Sequence, residues 1–365
     1  MPVSWLSEPH AHKTALFEAV AKADGGGRKL PTWKMSFHDF PETRDRMAEC
    51  YARAKKKPSG AIGQFFKRTF IRGRYNWARR YFLKHPEELA LCWQGLTGTR
   101  RAFMIGAQDA GAATLFAELA PLPGFKTLDP IGVNAESSIP QNPSTYGDVA
   151  PDAALLSSIR DRLTSRPSRR SDVGQAGALP DEVGDFIFVP LQVPDDSQMI
   201  LFADWVGSME GFVEEIAVAA QSLPDGWHLR LKEHPSSKIR LTDTIERAIA
   251  DGARMVLDND TDSFEQLRAS EGVLTVNSSM GLQAMFFDKP VYTTGRTFYA
   301  LPGLSSHAIG PKELAHLLAN ADKTTFNKDF RARFLTWLAT EYYIRETDTG
   351  YDLDHIAQKL AEARA

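Results

Sequence analysis

Cysteine is nearly absent: Cys50 and Cys92 are the only two in 365 residues. Two thiols so far apart in sequence supply neither a disulfide framework nor a zinc site. Also missing is any run near the ~20 consecutive apolar residues that a membrane-spanning helix needs. The start, Met1-Pro2-Val3-Ser4-Trp5, has neither the basic region nor the apolar core of a secretory signal. No strand–helix junction carries a Walker A loop, a Gly-x-Gly-x-x-Gly turn or a His/Cys cluster. Charge is not lopsided either, with 43 Lys and Arg against 46 Asp and Glu and a net charge of −3. With no zinc spacing and no helix-turn-helix signal, a nucleic-acid partner is not expected. These absences point to the cytoplasm and leave room for peripheral docking on the inner face of the cytoplasmic membrane.

What is present is enough apolar sequence, 43%, to fill two ordinary domain cores. The second half alternates clearly. Phe186–Pro190 has the composition of a buried strand, and Met209, Phe212, Val213, Ile216, Ala217 and Ala220 then recur at helical spacing. Further strands are expected at 227–232, 254–257, 272–276 and 291–294. Helices are expected at 242–250, 262–269 and 279–287, with Asp262 and Glu265 as a capping pair for the second. Such alternation implies a parallel sheet with right-handed crossovers. The first half is less regular, with strands expected at 89–93 and 113–116 around a helix at 100–110. Residues 160–182 have the turn-rich composition of a linker. Helices are expected at 328–344 and from Leu353 to Ala363. The chain thus divides into an N-terminal α/β domain at 1–180, a Rossmann-like domain at 181–327 and C-terminal helices at 328–365 that could return to the first domain.

One segment breaks the charge balance. From Arg53 to Lys84 there are 11 Lys or Arg and no acidic residue, interleaved with Phe65, Phe66, Phe70, Tyr75, Trp77, Tyr81 and Phe82. It suits an anionic lipid surface or an acidic glycan. It reads equally well as an amphipathic helix whose aromatics face the core.

Ligands of open α/β sheets bind beyond the carboxyl ends of the strands. Three segments qualify. Asn277-Ser278-Ser279-Met280-Gly281-Leu282-Gln283 joins a strand to a helix start, where hydroxyls and free N–H groups favour phosphate; Ser278 or Ser279 could equally be a plain N-cap. Lys232-Glu233-His234-Pro235 places a cation and an imidazole at a strand end, or simply a turn histidine. Leu191 to Gln198, with Gln192, Asp196 and Ser197, is a polar strand exit or an ordinary turn. Asp258-Asn259-Asp260 has the form of a metal-binding Asp-x-Asp but sits where turn chemistry is expected, so no metal site is assigned.

Set in order, these segments resemble the capsule polysaccharide biosynthesis family, which includes Kdo transferases. The match runs through Val189–Gln198, Lys232–Pro235, Val276–Leu282, Lys289-Pro290-Val291, Gly295–Tyr299 and Pro302-Gly303-Leu304, with weaker likeness at Glu118 and Asp129–Asn134. The resemblance implies a GT-B architecture, two Rossmann-like domains facing a cleft. It implies a CMP-activated donor, typically CMP-Kdo, an anionic lipid or glycan acceptor and no cofactor. His234, Lys232, Ser278, Ser279, Gly281, Gln283 and Gln192 would serve the nucleotide phosphate, and Glu118 or Asp129 the catalysis. Where families of this fold often carry a Glu, this chain has Gln283. A non-catalytic assembly or export adaptor and a sugar-nucleotide epimerase are the competing readings.

Overall fold

The computed structural model describes all residues except Met1, Arg166 and Asp181. The chain clusters into two α/β units. Unit 1 comprises residues 1–120, 124–139 and 339–365, and unit 2 comprises 121–123 and 140–338. The division therefore falls near residue 140, not 180.

Unit 1 contains β1 (Val3–Leu6), β2 (Gly27–Leu30), β3 (Leu89–Trp93), β4 (Thr114–Leu119) and β5 (Phe125–Asp129). Unit 2 contains β6 (Phe186–Pro190), β7 (His228–Lys232), β8 (Met255–Leu257), β9 (Gly272–Thr275), β10 (Val291–Thr293) and β11 (Ser306–His307). The chain then returns to unit 1 for β12 (Tyr343–Thr347) and β13 (Gly350–Tyr351).

The unit 2 sheet has the order β8-β7-β6-β9-β10-β11, and every pairing is parallel. Numbered within the unit this is 3-2-1-4-5-6, the doubly wound Rossmann order. Phe186, Ile187, Phe188 and Val189 of the central strand are fully buried, as expected of a strand covered on both faces. The helix Met209–Ala219 starts where the Ser208 hydroxyl accepts the Gly211 N–H at 3.0 Å, and it buries Met209, Phe212, Val213, Ile216 and Ala219 along one stripe. Asp262 caps Ser263–Ala269 by accepting the N–H groups of Phe264 and Glu265 at 2.8 and 3.1 Å.

Unit 1 orders its seven strands β13-β12-β5-β4-β3-β1-β2. The pairings among β1, β2, β3 and β4 are parallel, whereas those of β5 with β4, and of β12 with β5 and β13, are antiparallel. The helix expected over 328–344 ends at Trp337; a π-turn at Leu338–Tyr342 then leads into β12. Tyr343 and Ile344 suit a strand, and they find an open edge on β5. Lys328–Trp337 belongs to unit 2, while the final helix Leu353–Arg364 packs Ile356 and Leu360 into the core of unit 1.

The basic segment forms the 24-residue helix Ala61–Lys84. Its aromatics divide between core and surface. Tyr75 and Phe82 are core residues of unit 1, whereas Ile62, Phe65 and Phe66 are 75%, 64% and 65% exposed. No helix among the described residues is long and apolar enough to cross a membrane.

Candidate functional site

In unit 2 the strand order reverses between β6 and β9, so the loops leaving these strands diverge and open a crevice. A cavity of ≈ 100 Å³ lies there. Pro190 and Leu191 line it from the exit of β6, Lys232 to Pro235 from β7, and Ser278 to Met280 with Gln283 from β9. Topology thus brings three separate segments to one place.

His234 is half-buried, and its Nδ1 accepts the Ser236 N–H at 3.1 Å. An accepting Nδ1 fixes the proton of the neutral ring on Nε2, which makes Nε2 a donor. The loop is held by its neighbour. Glu233 is 2% exposed and takes two bonds from Arg170 at 3.2 and 3.0 Å, plus donors from Leu241, Thr242 and Asn259. Burial alone would raise its pKa, but Arg170 and these donors outweigh burial and hold the carboxyl below its ordinary range.

Lys232 is placed differently from expectation. Its ammonium donates to the carbonyls of Gly174, Asn259 and Thr261 at 2.7–2.8 Å and is 2% exposed. Burial brings its pKa down to about 8. Three carbonyls use all three ammonium donors, so Lys232 staples the pocket floor and has no N–H left for a phosphate.

At the exit of β9, the Ser278 hydroxyl caps the next helix by accepting the Met280 N–H at 3.2 Å. Neither the N–H nor the hydroxyl of Ser279 makes a hydrogen bond among the described residues. Gln192 lies behind the loop: its Oε1 accepts from Thr275 Oγ1 and Asn277 N at 3.2 and 3.1 Å, and its Nε2 donates to Asn277 Oδ1 at 2.8 Å. It shapes the site without lining it. Gly281 is also a shaping residue. A Cβ there would meet the Tyr299 hydroxyl at 2.5 Å, and that hydroxyl donates to the Ser278 carbonyl. Only glycine admits so close an approach. The Gln283 amide donates to the Pro121 carbonyl at 2.7 Å.

Sequence reasoning missed one wall. Residues 164–175, expected to be linker, line the same cavity through Thr164, Ser165 and Gln175. The segment is tied down where Arg169 N donates to Pro235 O at 2.9 Å and Gly174 N to Asn259 O at 2.7 Å. Gln175 Oε1 accepts from the N–H and hydroxyl of Ser263 at 3.0 and 3.2 Å. Ser165 Oγ is buried with no hydrogen-bond partner among the described residues. Turn-rich composition hid this role, because a loop that wraps a pocket and a linker use the same residues.

The two carboxylates expected from the first domain lie in unit 1. Asp129 is fully buried at the end of β5. Its Oδ1 accepts from Ile131 N and Gly132 N at 2.8 and 2.9 Å, and its Oδ2 from Ser138 N, Ser138 Oγ and Tyr342 OH at 2.7–2.8 Å. Five donors saturate a carboxylate, so Asp129 anchors a turn and has no lone pair for a base. Glu118 is half-buried on β4, with Oε1 accepting the Leu119 N–H at 2.9 Å. Neither lines the unit 2 cavity. The Asp258-Asn259-Asp260 segment is turn chemistry: Asp258 Oδ1 accepts from Asp260 N and Thr261 N, and Oδ2 pairs with Arg230 at 2.7 Å.

Fold and site together define a GT-B-like protein of two Rossmann-like units, with a ligand crevice at the switch point of unit 2. Over its full length the chain is similar in fold to a β-Kdo 2,7 transferase, KpsC of Thermosulfurimonas dismutans, with a TM-score of 0.54, 13% identity and 100% of each chain covered. A β-Kdo 2,4 transferase of the same protein gives 0.51 at 16% identity, covering 99% of this chain and 98% of that one. The family described as capsule polysaccharide biosynthesis protein matches residues 157–343, and the chain belongs to it. Protein FixF of Sinorhizobium fredii is 28% identical over 203 residues, which is 55% of this chain and 47% of that protein. The capsule polysaccharide modification protein LipB of Neisseria meningitidis is 29% identical over 128 residues, 33% of this chain and 30% of that protein. The chain thus spans about half the length, or less, of these curated relatives.

Proposed function

We propose that the chain is a glycosyltransferase of capsular or surface polysaccharide biosynthesis that takes a CMP-activated sugar of the Kdo type. The observation that carries this reading is the unit 2 crevice, where His234, Ser279 and Ser165 line one small space. Family membership and the fold support it.

Breaking the bond between sugar and phosphate puts negative charge on the leaving phosphate. Fixed donors in a partly enclosed site stabilise that charge without having to reorganise. In this chemistry His234 and Ser279 hold the phosphate, Gln192 and Gly281 hold the loop that presents Ser279, and Lys232 and Glu233 hold the loop that presents His234. Glu118 is the carboxylate we assign to the acceptor side, as base for the acceptor hydroxyl or as nucleophile. Thermal-shift measurements with CMP, UDP and GDP test the donor class. Stabilisation by CMP alone is the expected result, and stabilisation by UDP without CMP sinks it.

The acceptor reading is an anionic lipid or glycan met at a membrane surface. Ile62, Phe65 and Phe66 stand exposed at one end of the basic helix, one turn from Lys67 and Arg68. Apolar side chains ringed by cations suit an anionic membrane. Co-sedimentation with anionic vesicles should fall when Phe65 and Phe66 are both changed to Ser; equal pelleting of the variant removes the contact.

A second reading, a non-catalytic adaptor of the same fold, draws on two observations. Asp129 is saturated, and Gln283 stands where a carboxylate is common, with its amide committed to Pro121. A transfer assay on Glu118→Gln separates the two readings.

A further inference from the structure

Unit 1 has a switch point of its own. Its parallel strands run β2-β1-β3-β4, so the order reverses between β1 and β3. The loops leaving those two strands, Leu6-Ser7-Glu8 and Thr97-Gly98-Thr99-Arg100, line a cavity of ≈ 450 Å³, larger than that of unit 2.

The lining is strongly basic. Lys55, Lys56, Lys67, Arg74 and Arg100 contribute to it, against one carboxylate, Glu8. Glu8 is already neutralised by Lys13 at 3.3 Å and by Arg100. The helix Gly98–Gln108 begins at the cavity with no side-chain cap and no acidic residue in its first turn; the N–H groups of Arg100 and Arg101 turn back to the Thr97 carbonyl, while those of Gly98 and Thr99 have no partner among the described residues. Gly98 has φ +52°, which lets the chain turn tightly from β3 into that helix.

Arg74 is the decisive residue. It lines the cavity at 1% exposure. Its only hydrogen bond among the described residues runs from Nη1 to the Pro31 carbonyl at 3.3 Å, and no carboxylate pairs with it. Its guanidinium stacks near Phe70 and Trp77, 5.9 and 5.4 Å from their centroids. Burial lowers its pKa to about 10, which still leaves it charged at neutral pH. A buried cation without an anion is costly unless an anion arrives.

We propose that this cavity is a phosphoryl-binding site built entirely within unit 1. A carboxylate offers two oxygens in one plane. A phosphoryl group offers three, which suits a lining that holds a helix start, the Arg74 fork and two further cations, Lys56 and Lys67. The site is independent of the donor reading for unit 2. The phosphoryl group can come from a lipid headgroup or from a soluble phosphomonoester.

Equilibrium binding of radiolabelled inorganic phosphate at low ionic strength tests the site in the full chain. Saturable binding is expected. The Lys56→Ala/Lys67→Ala variant should bind about tenfold more weakly, the order expected for losing charge-assisted bonds. Arg74→Lys keeps the charge, loses the fork and should weaken binding several-fold. Circular dichroism melts report folding for each variant, and the lysine pair carries the test if Arg74→Lys does not fold. Vesicles of phosphatidylcholine with and without phosphatidic acid separate the sources. A lipid source predicts phosphatidic-acid-dependent binding that the same variants lose. A soluble source predicts that methyl phosphate competes while vesicle binding is unaffected by the variants. Absence of saturable phosphate binding, or equal affinity in wild type and both variants, overturns the proposal. CMP stabilisation of the same variants reports on unit 2 separately.

Discussion

Unit 2 and unit 1 use the same topological device with opposite electrostatics. In unit 2 the charged groups around the crevice are consumed internally: Lys232 by three carbonyls, Glu233 by Arg170 and three other donors. The other groups that line the crevice include neutral ones, namely an imidazole, serine hydroxyls and a backbone N–H. In unit 1 cations outnumber carboxylates, with Arg74 buried and lacking a carboxylate partner among the described residues. The comparison teaches that a switch point fixes where a ligand goes, while the local charge balance fixes what kind it is. A small site of neutral donors suits a leaving group whose charge changes during reaction. A cationic site suits a group that stays anionic throughout.

The largest expected effect tests whether unit 1 contributes to the chemistry at all. Glu118→Gln should lower transfer about a thousandfold, within the range for losing a general base. Near-normal turnover in a CMP-release assay would confine catalysis to unit 2. On the unit 2 side, His234→Ala should lower turnover about a hundredfold, as for losing one preorganised donor to developing negative charge. Its melting temperature should barely change, since the ring is half-buried and the loop is held by Glu233. Full activity in that variant removes His234 from the site.

Smaller effects probe the scaffold of unit 2. Gly281→Ala sets a Cβ 2.5 Å from the Tyr299 hydroxyl and should cost about 2 kcal/mol by overpacking. Adding Tyr299→Phe removes the clashing atom and should restore more than half of that loss in urea unfolding. No recovery would mean that the strain lies elsewhere. The subtlest test is pH. The Glu233 carboxyl has a folded pKa below its unfolded one, so its contribution is full above the ordinary Glu range and fades as pH falls through it. Urea midpoints should drop on acidification, and less so for Glu233→Gln. Parallel slopes for the two proteins would show that acid sensitivity arises outside this cluster.

The legible part of the sequence was the part with one regular periodicity. The strands of unit 2 are covered on both faces, so they appear as short apolar runs, and each helix between them carries one stripe. Unit 1 mixes parallel and antiparallel strands and takes β12 and β13 from the far end of the chain, a pairing that local pattern cannot encode. That is why Leu338–Ile344 read as a continuation of a helix.

The sequence by itself determined a parallel α/β half, its strand exits and the residues at them, because these follow from local periodicity and turn chemistry. Only the tertiary structure decided which of those residues have donors to spare. Lys232, Gln192 and Asp129 look chemical in sequence and are spent on carbonyls, a loop and a turn; Ser165 and Arg74 look incidental, yet among the described residues the first has no hydrogen-bond partner and the second no carboxylate. Whether a polar group is satisfied depends on neighbours tens of residues away, and that information exists only once the chain is folded.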